Sequence, residues 1–269
     1  MQLPLIFDER PLRLCVLGSG SSGNAVVVES GGRRLLLDAG FSCRQIEKRL
    51  RAVGLEAEDF VGLVVTHEHS DHCKGAQRFA RRHGVPVWGT RGTLEATGLA
   101  AADDLDLRVL SSSRPVALGD FLVTPFIVPH DAREPVGLVV EDRSGRRAGL
   151  AGDLGTASRL AWAHLAELDV LILETNHDLE MLRSGPYPWP LKQRVAARHG
   201  HLSNREAAEG LPELLADRLR HVVLYHLSRT NNRPSIALAE IGEVLAREGS
   251  RAQVHLTRQD APGQWIEIA

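Results

Sequence analysis

Short apolar runs rich in β-branched residues recur along the whole chain, and this recurrence restricts the possible folds more than any other feature. The runs are LRLCVLG, NAVVVES, RRLLLDAG, VGLVVTH, VPVW, DFLVTPFIVPH, PVGLVVED, RRAGLAGD, LDVLILE, RHVVLYH and QVHLT. Runs of this length and composition are typical of buried strands. The turn-like segments ESGGRR and EDRSGRR join consecutive runs in the manner of antiparallel hairpins. The sequence therefore predicts a chain rich in sheet.

Helical spacing of apolar residues appears between these runs. The sets are Ile46, Leu50 and Val53; Ala76, Phe79 and Ala80; Leu160 and Leu165; Ala207, Leu211, Leu214 and Leu215; Ile236, Ile241 and Leu245. Early strands pair through turns and later ones alternate with helices, which predicts an α/β fold of two mixed sheets packed face to face with helices outside. The Pro-rich segment SGPYPWP (184–190) is predicted to be a surface loop near a site. Residues 1–269 are expected to form a single domain.

Composition and the N-terminus favour a cytoplasmic protein. The balance of 43% hydrophobic and 25% charged residues is that of a soluble globular protein with a large core. The opening MQLPLIFDERPL lacks the basic flank and apolar length of a signal segment, and no later run suits a membrane span. Cys15, Cys43 and Cys73 are odd in number and are expected to be reduced thiols. The net charge of −2 leaves any phosphate partner to a local patch.

The segment VVTHEHSDHCKG (64–75) crowds possible metal ligands into one loop directly after an apolar run. Imidazole nitrogens and carboxylate oxygens are ligands that Zn²⁺, Mn²⁺ and Fe²⁺ accept. His67 and His69, two residues apart, are predicted to face one metal ion, and Asp71 and His72 to face another. The alternative is a polar loop that happens to be rich in histidine.

Three further residues of ligand type end apolar runs elsewhere in the chain. His130 follows FIVP, Asp153 follows RAGLAG and His226 follows VVLY. Each of them alone is more often a cap or a hydrogen-bonded core residue than a ligand. Together with the loop they complete a set of seven possible ligands at strand ends, which favours a metal site.

These segments resemble a known family. The series LLLDAG with Asp38, THEHSDH, the pair PH, the pair GD and YHLS is similar to the five-part signature of the metallo-β-lactamase fold superfamily. GSGSSGN (18–24), ETNHD (174–178), GPYPWPLKQRV and GHLSNREAA (200–208) resemble its YycJ (WalJ) subgroup of DNA-directed nucleases. The resemblance implies an αββα four-layer sandwich with two divalent metal ions, Mn²⁺ or Zn²⁺, per chain.

The resemblance also implies roles for individual residues. One metal ion would be held by His67, His69 and His130, the other by Asp71, His72 and His226, with Asp153 bridging them. A water between two such ions loses its proton near neutral pH, and the resulting hydroxide would be the nucleophile. Asp71 is also expected to be catalytic. Asp38 matches the position that supports the ligand loop by hydrogen bonds.

His201 in GHLSNREAA is the candidate for protonating the leaving group. Similar segments in phosphodiesterases of the superfamily carry a histidine beside the scissile phosphate, which implies a general acid at this position. The alternative is purely structural, because Ser203 followed by Glu206 fits the capping box S-x-x-E at the start of a helix. The two interpretations are compatible.

Polar residues in three segments are candidate substrate contacts. GSGSSGN lies between two strands and lacks the helix start of a nucleotide-binding loop, so NAD or ATP binding is not expected. The candidates are Ser21, Ser22 and Asn24 in that segment, Asn176 and His177 in ETNHD, and Asn231 and Asn232 in SRTNNRP. Ordinary loop hydrogen bonding is the alternative for all of them.

The leading functional hypothesis is a binuclear-metal phosphodiesterase, a 5′-to-3′ exonuclease acting on single- or double-stranded DNA, with no membrane partner. Two alternatives stay open. One is a small-molecule hydrolase on the same fold, such as a cyclic phosphodiesterase or a thioesterase; the other is a non-catalytic metal-stabilised module. The interval between Asp153 and His226 is too short for the additional clamping domain of RNA-processing relatives. The sequence predicts no oligomeric state.

Overall fold

The computed structural model describes residues 10–268. Most of the N-terminal segment from which the absence of a signal sequence was inferred, residues 1–9, lies outside the described residues, as does residue 269. The single domain over residues 1–269 therefore stays a prediction. Among residues 10–268, no helix is both long and apolar enough to cross a membrane.

Within residues 10–268, fourteen strands form two sheets of seven strands each. The strands are β1 (Leu12–Gly18), β2 (Ala25–Ser30), β3 (Arg33–Leu37), β4 (Phe60–Val64), β5 (Val87–Thr90), β6 (Leu107–Leu110), β7 (Val116–Leu118), β8 (Phe121–Ile127), β9 (Val136–Asp142), β10 (Arg147–Ala151), β11 (Val170–Glu174), β12 (His221–Tyr225), β13 (Gln253–Leu256) and β14 (Ile266–Ile268). The first sheet has the order β14-β1-β2-β3-β4-β5-β6, and the second has the order β13-β12-β11-β10-β9-β8-β7.

Helices connect the later strands of each sheet. They are α1 (Cys43–Ala52), α2 (Ser70–Cys73), α3 (Ala76–His83), α4 (Arg91–Ala96), α5 (Arg159–His164), α6 (Leu179–Ser184), α7 (Trp189–Val195), α8 (Asn204–Gly210) and α9 (Pro234–Arg247), with 3₁₀ turns at Leu99–Ala101 and Leu211–Leu214. Strands β3 to β6 run parallel, as do β10 to β13, while the predicted hairpins β2–β3 and β9–β10 are confirmed as antiparallel pairs.

Central strands such as β1, β2 and β11 are apolar and buried on both faces, and this forces a four-layer arrangement. In β1, Leu14 and Val16 pack between the two sheets, whereas Cys15 and Leu17 face the helices that cover the first sheet. In β11 the same alternation sends Ile172 to the inner core and its neighbours to the helices of the second sheet. Successive side chains of a strand point to opposite faces, so a strand buried on both faces needs a layer on each side. The predicted αββα sandwich is confirmed.

Several local predictions differ from the structure. Strands β6, β7 and β14 were not predicted, and each has at most four residues. The segment 184–190 is not wholly a loop, because α6 ends at Ser184 and α7 begins at Trp189; a proline in the first turn of a helix removes no intrahelical hydrogen bond. Leu160 is 58% exposed, and α5 instead buries Ala161 and Trp162.

Candidate metal centre

The candidate ligands lie where strands from both sheets end. Asp38 directly follows β3, Asp153 comes two residues after β10, and His226 directly follows β12. All three have positive φ angles, of 62°, 47° and 57°. A non-glycine residue in this conformation costs about 1–3 kcal/mol, and such residues persist mainly where the surrounding structure holds them at functional sites. The backbone thus marks the same edge of the sandwich that the ligand pattern marks.

The ligand loop changes direction between its two pairs of candidates. His69 has extended backbone angles, and α2 begins at the next residue. His67 and His69 share one side because extended chain alternates with a period of two, and the helical turn then carries Asp71 and His72 toward another side. The division of the loop predicted from spacing matches this geometry.

Gly40 allows the loop to lie against the first sheet. A Cβ atom on Gly40 would overlap the backbone oxygen of Asp71 at 1.6 Å. That oxygen accepts a hydrogen bond from the backbone N–H of Asn24 at 2.8 Å. The loop is therefore seated on backbone atoms of two neighbouring segments, and any side chain at position 40 would displace it.

The first group of candidate ligands contains His67, His69 and His130, whose donor atoms lie within 4.8 Å of one another. Nε2 of His130 lies 3.1 Å from Nδ1 of His69, and Nδ1 of His130 donates to the carbonyl of Gly200 at 3.0 Å. The donor at Nδ1 leaves a lone pair on Nε2 of His130. Nδ1 of His67 lies 3.0 Å from the hydroxyl oxygen of Thr66, while its buried Nε2 has no hydrogen-bond partner in the described chain.

The second group contains Asp71, His72, Asp153 and His226, whose donor atoms also lie within 4.8 Å of one another. Oδ2 of Asp153 lies 2.5 Å from Nε2 of His72 and 3.2 Å from Nε2 of His67. Nε2 of His226 lies 3.3 Å from Oδ2 of Asp71. Asp153 therefore contacts a histidine of each group and stands between them, as the resemblance implied. The part of each residue in binding a metal stays a prediction.

These donor atoms fit divalent cations. Nε2 of His67 is buried without a hydrogen-bond partner among residues 10–268, which is costly unless a cation occupies the space beside it. Burial, helped by the nearby histidines, lowers the pKa of His67, and burial lowers that of His130. Burial would raise the pKa of Asp153, but His226 and His72 outweigh it and hold that pKa well below its usual range. His67 and His130 are therefore neutral and Asp153 is ionised, which are the forms that bind metals.

Asp38 orients candidate ligands through hydrogen bonds without lying among the donor atoms itself. Its carboxylate accepts hydrogen bonds from Nδ1 of His72 at 2.7 Å and from the backbone N–H and hydroxyl of Thr66 at 2.8 and 3.0 Å. Because the Thr66 hydroxyl donates its hydrogen bond to Asp38, its oxygen can accept a hydrogen bond from Nδ1 of His67. Both arrangements engage Nδ1 of the two histidines and direct Nε2 of each at the centre. Such partners fix the tautomer and orientation of metal-binding histidines.

Glu174 belongs to the centre, although the sequence analysis assigned it no role. Its side chain is fully buried. Oε1 accepts from Nδ1 of His201 at 2.8 Å and from Nδ1 of His226 at 2.9 Å. Oε2 accepts from the backbone N–H groups of Leu154 and Leu202 at 2.7 and 3.1 Å. Burial would raise the pKa of Glu174, but His201 outweighs it and the pKa is lowered. An acidic residue ending an apolar strand, the feature that marked Asp153, would have identified Glu174.

His201 borders the pocket above the centre. Its Nδ1 is bound to Glu174 and lies 3.3 Å from Oδ1 of Asp153, which leaves Nε2 as the ring nitrogen available to the pocket. Burial would lower the pKa of His201, but the carboxylates of Glu174 and Asp153 outweigh it and raise the pKa to about 9. The capping box of Ser203 and Glu206 is confirmed, so the segment also starts α8. The role of His201 as a proton donor stays a prediction.

An open pocket of about 310 Å³ lies over the two groups. Its lining includes Ser21, Asp71, Asp131, Arg194, His201 and His226. Ser21 and Ser22 are exposed, and Ser21 borders this pocket. Both remain candidates for substrate contact.

The other predicted substrate residues are buried. Asn24 is fully buried with its amide nitrogen 3.3 Å from Oδ2 of Asp71, and Asn176 donates to the carbonyl of His226 at 2.9 Å. Asn232 donates to the carbonyl of Thr175 at 2.8 Å. These hydrogen bonds tie the three asparagines to the segments around the candidate ligands, and their contact with substrate stays a prediction. His177 and Asn231 are each 1% exposed, and their side chains have no hydrogen-bond partner in residues 10–268.

Comparison with known proteins agrees with this geometry. Residues 33–227 match the model of the Beta-lactamase superfamily domain. The chain is 35% identical over 240 residues to Exodeoxyribonuclease YycJ of Bacillus anthracis, covering 88% of this chain and 90% of that protein. It is 35% identical over 236 residues to Exodeoxyribonuclease WalJ of Streptococcus pneumoniae, covering 86% and 87%. The crystal structure of the metallo-beta-lactamase fold protein YhfI from Bacillus subtilis superposes with a TM-score of 0.73 at 19% identity, covering 96% of this chain and 100% of that one.

Proposed function

Because this chain belongs to the metallo-β-lactamase superfamily, and within it to the group of the YycJ and WalJ proteins, we propose that it is a metal-dependent 5′-to-3′ DNA exonuclease. One observation carries the proposal: donor atoms from both sheets converge under an open polar pocket, and the buried Nε2 of His67 has no hydrogen-bond partner among residues 10–268. The two relatives named exodeoxyribonucleases align over most of the chain, which supports DNA as the substrate class.

The proposed cofactors are two divalent ions, Mn²⁺ or Zn²⁺. His67, His69 and His130 would hold one, and Asp71, His72 and His226 the other, with Asp153 shared between them. When bound, such ions activate water and neutralise charge that develops on phosphoryl oxygens. A donor set of only nitrogen and oxygen is compatible with Mn²⁺ as well as Zn²⁺.

The protein's own groups have separate tasks in this proposal. Glu174 fixes Nδ1 of His201, and the protonated imidazole then gives the Nε2 proton to the leaving oxygen of the substrate strand. The hydrogen bonds of Asp38 keep His72 in one orientation while substrate enters. Asp71, at the pocket surface, is proposed to act both as a ligand and in catalysis.

A small-molecule hydrolase is the second candidate, and the pocket volume favours it. Small-ligand sites start at about 300 Å³, so a cyclic phosphodiester would fit the pocket of about 310 Å³. A nuclease needs only to admit one strand end to such a pocket. The two candidates differ in whether an extended polyanion or a compact one is the better substrate.

A substrate panel separates the candidates. Chelator-stripped protein is supplied with Mn²⁺, Zn²⁺ or Mg²⁺ and given end-labelled single- and double-stranded DNA, RNA of the same sequence, cyclic nucleotides and a thioester. We expect stepwise shortening of DNA from its 5′ end. A protein in which His67 and His69 are both replaced by alanine controls for a contaminating nuclease. Turnover confined to a cyclic nucleotide or a thioester would contradict the proposal.

A further inference from the structure

Arg194 borders the pocket with a guanidinium group that the proposed mechanism does not use. It lies in the last turn of α7, and its side chain is 59% exposed. Its Nε donates to Oδ2 of Asp131 at 2.6 Å. Neither Nη atom has a hydrogen-bond partner within residues 10–268. The two terminal nitrogens are thus available to a ligand.

Asp131 fixes this guanidinium beside the first group of candidate ligands. Its Oδ1 lies 3.4 Å from Nε2 of His130 and 3.7 Å from Nε2 of His69. Its other oxygen receives the hydrogen bond from Arg194. The carboxylate joins the arginine to the centre and limits the positions that the guanidinium can take.

The shape of the guanidinium suits a phosphate. Arginine presents its donors in a flat, rigid fork, and when Nε is engaged the Nη atoms still offer paired N–H groups to two oxygens of one anion. Most of the pocket's other charged groups are carboxylates and histidines proposed as metal ligands, so Arg194 and the proposed proton donor His201 are the cations that the lining leaves for the substrate.

We propose that Arg194, held by Asp131, binds the backbone phosphate next to the scissile phosphate of the DNA strand. This inference rests on the proposed function, because a strand with its scissile phosphate at the candidate metals must place its next phosphate nearby: each nucleotide of a duplex strand advances only about 3.4 Å along the helix axis. Arg194 therefore contributes to strand binding, and Asp131 is its positioning residue.

The competing explanation is an ordinary surface ion pair. Exposed pairs of arginine and aspartate form widely without a ligand. Arg183 on α6 gives the matched control: its side chain is 79% exposed, its partner is Glu180 at 3.4 Å, and it does not border the pocket. Removal of Arg183 changes the net charge by the same amount as removal of Arg194, so any difference between the variants reflects position and not charge.

The test combines variants with modified substrates. Wild type, Arg194→Ala, Arg194→Lys and Arg183→Ala are assayed on unmodified single-stranded DNA and on a series of modified strands. Each modified strand carries a single uncharged methylphosphonate, and the position of that linkage differs from strand to strand. A hydrogen bond to a charged group corresponds to a factor of about 10 to 150, so Arg194→Ala should lower kcat/KM on unmodified DNA by roughly that factor, mainly through KM. A methylphosphonate at the linkage next to the scissile one should lower kcat/KM of wild type by a similar factor. It should not lower kcat/KM of Arg194→Ala any further. Arg194→Lys should restore only part of the kcat/KM that Arg194→Ala loses, and Arg183→Ala should have the kcat/KM of wild type.

Two results would overturn the inference. One is wild-type kinetics in Arg194→Ala; the other is an unchanged methylphosphonate profile in that variant. Asp131→Asn should retain the metal content of wild type and raise KM, whereas loss of metal would make Asp131 a ligand and contradict its positioning role. A wild-type protein that cleaves no DNA is a separate outcome, which rejects the proposed function before Arg194 is tested.

Discussion

Replacement of Glu174 by glutamine tests how the centre is held in place. The side chain keeps its size, but one accepting oxygen becomes an NH₂ group. The backbone N–H groups of Leu154 and Leu202 cannot change their direction, so the remaining oxygen should stay with them. The NH₂ group then faces Nδ1 of His201 and of His226, which favours a proton on Nε2 of each ring and leaves Oδ1 of Asp153 as the acceptor near both Nδ1 atoms. His226 would offer Nε2 to a metal less readily, and His201 would lose one of the two carboxylates that raise its pKa.

The magnitude follows from these contacts. Loss of one partner from a buried charged pair costs about 3–5 kcal/mol of stability in the metal-free protein. Loss of a residue that orients a metal ligand typically weakens metal binding or activity by about 10- to 100-fold. If His201 also stops acting as an acid, turnover with saturating metal should fall by roughly 10²–10⁴-fold.

Three measurements check this expectation: urea unfolding of chelator-stripped protein, metal titration, and single-turnover cleavage of DNA at saturating metal. Glu29→Gln is the matched control, because Glu29 is also a buried glutamate that pairs with Arg13 and Arg34, but on β2 and away from the pocket. That variant should lose stability and keep its metal affinity and turnover. A Glu174→Gln protein with wild-type metal affinity and turnover would refute the reasoning.

Other predictions concern Asp153 and the histidines around it. Asp153→Ala should lower metal content and rate together, since this carboxylate contacts both ligand groups; elemental analysis showing two retained metals with full activity would remove it from the shared position. His201→Ala should keep its metals but slow DNA cleavage by about 10²–10⁴-fold, with a smaller defect on a p-nitrophenyl phosphodiester that needs no proton; an equal defect on both would exclude proton donation. The folded pKa of His201 is raised from 6.5 to about 9, so metal-free wild type should lose stability as pH rises through that window, and urea unfolding of His201→Ala should show a smaller loss, to which only His72 and His226 still contribute. The pKa values of His72 and His226 are raised because Asp153 outweighs their burial, so metal affinity should increase with pH as these protons are released, which calorimetry in two buffers measures.

The long strands and the ligand pattern were predictable because their signals are local. Buried strands such as β1 and β11 carry continuous apolar runs, and ligand-type residues at their ends are visible in the sequence. The division of the loop at His69 followed from residue spacing alone. Short edge strands such as β7 and β14 carry too few residues to show a period, and their pairing depends on neighbours distant in the chain.

The supporting residues were harder to predict because burial is a tertiary property. Asn24, Asn176 and Asn232 are polar residues in Gly- or Asn-rich loops, a composition typical of exposed contacts, and only the folded chain shows that they bond to ligand loops. For Glu174 the position at the end of a strand was visible in the sequence. Its role was not, because its four hydrogen bonds join segments that lie up to 52 residues away along the chain.

Metal-dependent DNA cleavage at the candidate centre is tested most directly by a stoichiometric titration. Chelator-stripped protein receives Mn²⁺ or Zn²⁺ in steps of less than one equivalent, and bound metal and the rate of nucleotide release from 5′-end-labelled DNA are measured in the same samples. We predict no cleavage without metal and a rate that reaches its plateau at two bound ions per chain. Two results would contradict metal-dependent cleavage at this centre. One is cleavage that persists in the stripped protein; the other is a plateau rate that stays unchanged when His67 and His69 are both replaced by alanine.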